Sequence, residues 1–181
     1  MEKSCCFTGY RPEKFSFELK FGSPEMNELE NKIYDTVFAL IEDGYNCFYC
    51  GMASGFDLLC GKAVANICHT YPEKGIRLVA AIPFAGQSNS FAPMWKKLYD
   101  IVLSAADESV LISESYHISC FERRNRYMVD NSSRVICYFD GQSGGTANTV
   151  KYALSKGRLI TNLADYKIPE SENTAYQLEL I

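Results

Sequence analysis

The sequence predicts an α/β protein of the Rossmann-like kind: three layers, α/β/α, with a mostly parallel sheet between helices. Three observations carry that expectation. Strand-like segments alternate with segments of helical period along almost the whole chain, the mark of βαβ units. The strand segments are near-continuous apolar runs, as expected where helices cover both faces of a sheet. Two of them run directly into glycine-rich turns that open helices, a common place for an anionic ligand. The 181 residues suit one domain spanning 1–181. No internal repeat or low-complexity stretch interrupts them.

In order, Lys3 to Thr8 is the first strand, ending in Gly9-Tyr-Arg-Pro12. Leu29, Ile33, Val37, Leu40 and Ile41 then form one helical stripe, which Gly44 stops. Tyr45 to Cys50 is the second strand, and Gly51-Met-Ala-Ser-Gly55 turns into a helix from about Asp57 to Tyr71. Ile76 to Ile82 is the third strand, followed by a loop from Pro83 to about Ser90 and a helix near Met94 to Ala105. Ser109 to Ile112 is a short fourth strand, and Phe121 to Asp130 is a helix. Arg134 to Phe139 is the fifth strand; Gly141 to Gly145 is a loop, and Thr146 opens a helix that ends near Gly157. Leu159 to Thr161 makes a sixth strand, and a polar surface tail begins at Lys167.

Composition narrows the function classes. Apolar residues make up 47% and charged residues 22%, ordinary values for a globular protein. The net charge of -4 lacks the basic excess of an electrostatic nucleic-acid binder, so nucleic acid is not an expected partner. No stretch approaches the length of a membrane span, and Met1 to Gly9 lacks a signal-peptide core, so no membrane partner and a cytoplasmic location are expected. The eight cysteines fall mainly in segments read as buried, where a thiol acts as a small core hydrophobe. Cys47 and Cys50 have metal-pair spacing, but strand positions i and i+3 face opposite ways, so neither a metal nor a disulfide is assigned to them. His69 and His117 have no evident partner in the sequence, and no triad is proposed.

The chemistry of an open parallel sheet sits beyond the carboxyl ends of its strands, where the strand order reverses. Gly9 and Arg11 follow the first strand, with Pro12 fixing the backbone. Gly51, Ser54, Gly55 and Asp57 follow the second; the glycines permit close backbone approach, Asp57 suits ribose hydroxyls, and Ser54 with Asp57 has capping-box spacing. Phe84 and Gln87 follow the third, an aromatic ring and an amide of the kind that stacks on and reads a base. Ser143, Gly144, Gly145 and Thr146 follow the fifth, offering amides and hydroxyls to phosphate oxygens. Arg123 and Arg124 start the preceding helix as planar phosphate readers, while Arg126 is read as a solvated partner of Glu122 and Asp130 at i,i+4 spacing.

Thr8-Gly-Tyr-Arg-Pro12, Gly51-Met-Ala-Ser-Gly-Phe-Asp57, Pro83-Phe-Ala-Gly-Gln87, Arg124-Asn-Arg-Tyr-Met-Val-Asp130 and Gly144-Gly-Thr-Ala-Asn-Thr-Val150 together resemble the YpsA-like family of the SLOG superfamily, which includes DprA/Smf and LOG proteins. The resemblance runs through nearly the whole chain in the family's order. One departure is Phe91, where the family often carries Trp. The resemblance implies a Rossmann-like fold, a pocket for a nucleotide or nucleotide derivative, and a homodimer. LOG proteins, which cleave the N-glycosidic bond of nucleoside monophosphates, are similar at Glu122-Arg-Arg124 and Gly144-Gly-Thr146, but Thr149 stands where their loop carries glutamate. A hydroxyl cannot supply that carboxylate's role in base departure or water activation.

Three functions follow as expectations. The first is a binding protein, a sensor or sequestering module, for a nucleotide-derived small molecule such as an ADP-ribose- or NAD-like ligand; no resident cofactor is assigned beyond it. The second is an N-glycosidase or phosphoribohydrolase acting on nucleoside monophosphates, with Asp57 or Glu122 in place of the missing glutamate. The third, a DNA-processing accessory protein like DprA, is opposed by the acidic balance and the lack of an extra domain.

Overall fold

The computed structural model describes residues 3–169. Six parallel strands form one sheet: β1 (Ser4–Thr8), β2 (Cys47–Cys50), β3 (Arg77–Ile82), β4 (Glu108–Leu111), β5 (Arg134–Cys137) and β6 (Leu159–Asn162), in spatial order β4-β3-β2-β1-β5-β6. Five α-helices connect them: α1 (Pro24–Glu42), α2 (Phe56–Thr70), α3 (Pro93–Ala105), α4 (Cys120–Asp130) and α5 (Gly145–Ser155). The first three strands after β1 or its neighbours build outward to one side, and the chain then returns to lay β5 on β1's other edge. Right-handed crossovers therefore put α1, α2 and α3 on one face and α4 and α5 on the other.

Each face has its own core. Phe7, Phe48, Cys50 and Leu78 point to the three-helix face and meet Ile33, Val37, Leu58, Val64 and Val102. Cys6, Ala81, Val135 and Cys137 point the other way and meet Met128, Val129, Val150 and Ala153. Cys50 thus belongs to the first core, whereas Cys47 shares its face with Tyr49, to which its thiol bonds. The pair straddles the sheet, as strand geometry requires. Among the described residues, no three histidine, cysteine or acidic side chains are placed to hold a metal ion. No helix among them is long and apolar enough to cross a membrane.

Element ends show where local chemistry overrides the apolar pattern. Ser23 caps α1, its hydroxyl accepting from the Met26 amide at 3.3 Å, with Pro24 in the first turn. β5 stops at Cys137 rather than at Phe139. There the Asn162 side chain replaces the ladder, accepting from the Phe139 amide at 3.0 Å and donating to its carbonyl at 2.7 Å. Short 3-10 turns at Pro12–Lys14, Pro72–Lys74 and Gln87–Ser90, two of them opened by proline, have no counterpart in the periodicity of the sequence. Of the expected polar tail, Ile168 packs against the second core, and residues 170–181 lie outside the described residues.

Candidate functional site at the reversal of strand order

A cleft of about 260 Å³ opens where β1 and β5 end side by side, the point at which the sheet changes direction. Its walls come from three layers of the fold. Gly9, Tyr10, Arg11 and Lys14 follow β1; Ala53 and Asp57 follow β2; Phe121, Arg124 and Asn125 come from α4, and Gly145 and Thr146 from α5.

The floor is a buried ion pair. Arg124 Nη1 lies 3.6 Å from Asp57 Oδ2, and both side chains are 5% exposed. At that distance the contact is Coulombic, and Nη1 has no hydrogen-bond partner. Burial pushes the Asp57 carboxyl up against the pull of Arg124 and Arg11, and the same burial lowers the Arg124 guanidinium. A relay leads away from the pair: Arg124 Nε donates to Asn125 Oδ1 at 2.7 Å, Asn125 Nδ2 to Thr149 Oγ1 at 2.9 Å, and Thr149 Oγ1 to the Gly145 carbonyl at 2.8 Å. Thr149, at the position of the LOG glutamate, therefore braces α5 against α4.

The α5 N-terminus supplies the other half of the site. Gly144 is its N-cap, no side chain caps it, and no acidic residue stands in its first turn. Its first amides and the positive end of its dipole are thus left for an anion. Lys14 reaches the same turn, its Nζ 2.9 Å from where a Gly144 Cβ would stand. The Arg11 guanidinium lies 5.4 Å above the Phe121 ring. Arg11, Lys14, Arg124 and a helix end thus face a single carboxylate, Asp57, among the residues lining the cleft.

The second glycine turn behaves differently. A Cβ on Gly51 would fall 2.3 Å from Arg124 Nη1 and 2.5 Å from Asp57 Oδ2. Gly55, at φ +91°, would put a Cβ 2.4 Å from the Tyr10 carbonyl, which accepts from the Phe56 amide at 3.1 Å. These glycines let two loops and an ion pair approach each other. Between them Met52 takes a left-handed φ of +58° while fully buried, a conformation that costs a non-glycine residue about 1–2 kcal/mol. The expected capping box at Ser54 and Asp57 does not form: Gly55 is the N-cap, and Asp57 turns inward to Arg124.

Of the residues singled out from the sequence, Gly9, Arg11, Asp57, Arg124, Gly145 and Thr146 meet at the cleft, with Gly51 and Gly144 directly behind them. Ser54, Gly55, Phe84, Gln87, Arg123 and Ser143 do not line it. Phe84 packs edge-on to Phe121 at 5.8 Å and Tyr116 at 5.3 Å, supporting the wall from behind. Gln87 is 2% exposed, and neither of its amide atoms has a partner. Arg123 and Ser143 are exposed. Arg126 pairs with Glu122 at 2.8 Å as expected, but Asp130 goes to Tyr152 and Lys156 instead. His117, read as isolated, has a serine on each ring nitrogen, Ser113 at 2.8 Å and Ser119 at 3.1 Å, because the loop into α4 folds back on itself. Sequence reasoning missed Tyr10, whose hydroxyl donates to Asp140, as well as Lys14 and Asn125. Lys14 was findable as the basic residue three positions after Arg11 in a proline-opened turn.

The YpsA family model, described as the YspA SLOG family, matches residues 5–169. The chain belongs to the YpsA SLOG family. This YpsA-family chain is 29% identical over 145 residues to the uncharacterized SPbeta prophage-derived protein YoqJ of Bacillus subtilis, covering 72% of this chain and 83% of YoqJ. It is 26% identical over 169 residues to the UPF0398 protein lin2003 of Listeria innocua, covering 91% and 88% respectively. Its fold is similar to that of DprA from Streptococcus pneumoniae (TM-score 0.57, 18% identity) and of DprA from Helicobacter pylori (TM-score 0.60, 16% identity). The match takes in 98% of this chain in both cases, but 56% of the first DprA chain and 72% of the second, so the chain spans just over half the length of the former. The Helicobacter structure is described as showing a single-stranded DNA binding mode. That description belongs to the neighbour.

Proposed function

We propose that the cleft binds a nucleotide or a nucleotide-derived small molecule of the ADP-ribose or NAD kind, and that the protein acts as a sensor or sequestering module for it. One observation carries this reading: the uncapped N-terminus of α5 opens on the same cleft as Arg11, Lys14 and Arg124. A phosphate sits on the Gly144-Gly145-Thr146 amides, where backbone donors and the helix dipole act together. Sugar hydroxyls donate to Asp57, the acceptor on the floor.

The test is calorimetry with AMP, ADP-ribose and NAD. Gly145 has open space where a Cβ would go, so Gly145→Asp folds normally while placing a carboxylate in the anion's seat. That variant loses binding, and Arg11→Ala weakens it roughly 10–100-fold, the worth of one charge-assisted hydrogen bond. Binding that survives both substitutions sinks the reading.

A base-releasing hydrolase is the second reading. It is favoured by the Asp57 carboxyl, which burial holds above the usual range at the cleft floor. Chromatography of nucleoside monophosphates incubated with the protein decides between them: free base and ribose phosphate mean an enzyme, and intact retained nucleotide means a binder. Thr149→Ala leaves any such release roughly unchanged, because its hydroxyl supplies no carboxylate to the reaction.

A further inference from the structure

A second and larger cavity, about 550 Å³, lies between α4 and α5 beside the cleft. Phe121, Asn125 and Gly145 line both. Gly145 is the first residue of α5, so the anion seat stands on the boundary between two chambers rather than at the end of one.

The second chamber has its own chemistry. On α5, Asn148, Lys151, Tyr152 and Ser155 form one face by their spacing of three, one and three residues; Tyr152 also packs against the edge of the second core. On α4, the Arg126 guanidinium lies 5.0 Å over the Tyr152 ring and pairs with Glu122 at 2.8 Å. The side chain remains 56% exposed. A guanidinium held over an aromatic ring offers a stacking surface to a base, and the neighbouring asparagine amide and lysine ammonium offer polar recognition. Ile118, 94% exposed, adds an apolar rim.

We infer that the α4–α5 groove is a second subsite for the far, base-bearing half of a two-lobed ligand, a dinucleotide. Its diphosphate crosses the Gly145 boundary and its two ends fill the two chambers. This rests on the nucleotide reading above and goes further by setting the ligand's size and by assigning Arg126, which the sequence placed on a solvated surface, to its recognition.

Calorimetry on the full chain separates the two claims. NAD, whose far half carries a second base, binds the wild-type protein at least about 10-fold more tightly than AMP. Arg126→Ala removes about 10-fold from NAD affinity and leaves AMP unchanged, whereas Gly145→Asp abolishes both. If neither ligand binds the wild type, the nucleotide reading falls and takes the subsite with it. If AMP and NAD bind equally, or Arg126→Ala alters both or neither, the cleft reading stands and the subsite is refuted. Sedimentation velocity of the Lys151→Glu variant supplies the other check. Unchanged mass agrees with a ligand groove, and dissociation of a dimer gives the groove to a second copy of the chain and overturns the proposal.

Discussion

Asp57 and Arg124 carry opposite charges into a place where each is 5% exposed, and the cost of doing so is visible on both. Burial raises the carboxyl and lowers the guanidinium, so desolvation outweighs attraction for each partner taken alone. Such a pair adds little net stability, but half of it is worse than none. Asp57→Asn leaves Arg124 charged and uncompensated and destabilises by about 3–5 kcal/mol in chemical denaturation, while the double variant Asp57→Leu/Arg124→Met recovers most of that loss. Equal losses in the single and double variants would show that the pair itself holds the fold. Tyr10 and Asp140 make the opposite case at the exposed end of β5. The tyrosine hydroxyl bond is the largest influence holding the Asp140 carboxyl below its ordinary value. A carboxyl depressed in the folded state contributes stability above its unfolded range and loses it as pH falls through the folded value. In Tyr10→Phe, Asp140 therefore titrates higher by NMR, and the variant's stability deficit is greatest near neutral pH and disappears in acid.

The two glycine turns looked alike as sequence and differ as elements. The helices and strands themselves were legible because apolar period is written residue by residue: Ile33, Val37 and Ile41 face one core, and Val135 and Cys137 the other. The meaning of a missing side chain is not written that way. Gly51 and Gly55 leave room for Arg124, Asp57 and the Tyr10 carbonyl, whereas Gly145 faces open space; a sequence records the same residue in each case. The sequence marks Asp57 as an acceptor for ribose hydroxyls, but its charge partner Arg124 lies 67 positions away on α4, beyond any local spacing rule. The 3-10 turn at Gln87–Ser90 shows the same limit. Gln87 suggested a reader of bases, yet it packs inward with both amide atoms unpartnered. A buried polar group without partners costs about 1–3 kcal/mol, so Gln87→Leu raises the stability of the unliganded protein by about that amount in thermal or chemical denaturation. A loss of stability instead would show that the amide has partners in solution.

Across the whole molecule, the eight thiols report on how completely the sheet is sealed. Seven are buried and Cys68 is half-buried at the end of α2. Burial pushes Cys6, Cys50 and Cys137 up to about 12, far from the thiolate form that reacts. Alkylation of the native protein at pH 8 followed by mass spectrometry therefore marks Cys68 first, with the other seven labelled only after denaturation. Rapid labelling of Cys6 or Cys137 would mean that the two-helix face opens readily. The placement of β1 also governs how this protein is born. Ser4–Thr8 lies between Cys47–Cys50, made soon after it, and Arg134–Cys137, made much later. A chain that has emerged from the ribosome only as far as β4 can cover one face with α1, α2 and α3, but Cys6, Tyr49 and Ala81 on the other face await α4 and α5. Until α4, β5 and α5 are made, the growing chain therefore carries a bare apolar face and an unpaired central edge. Nascent-chain chaperones have a surface to hold until that second layer of helices arrives.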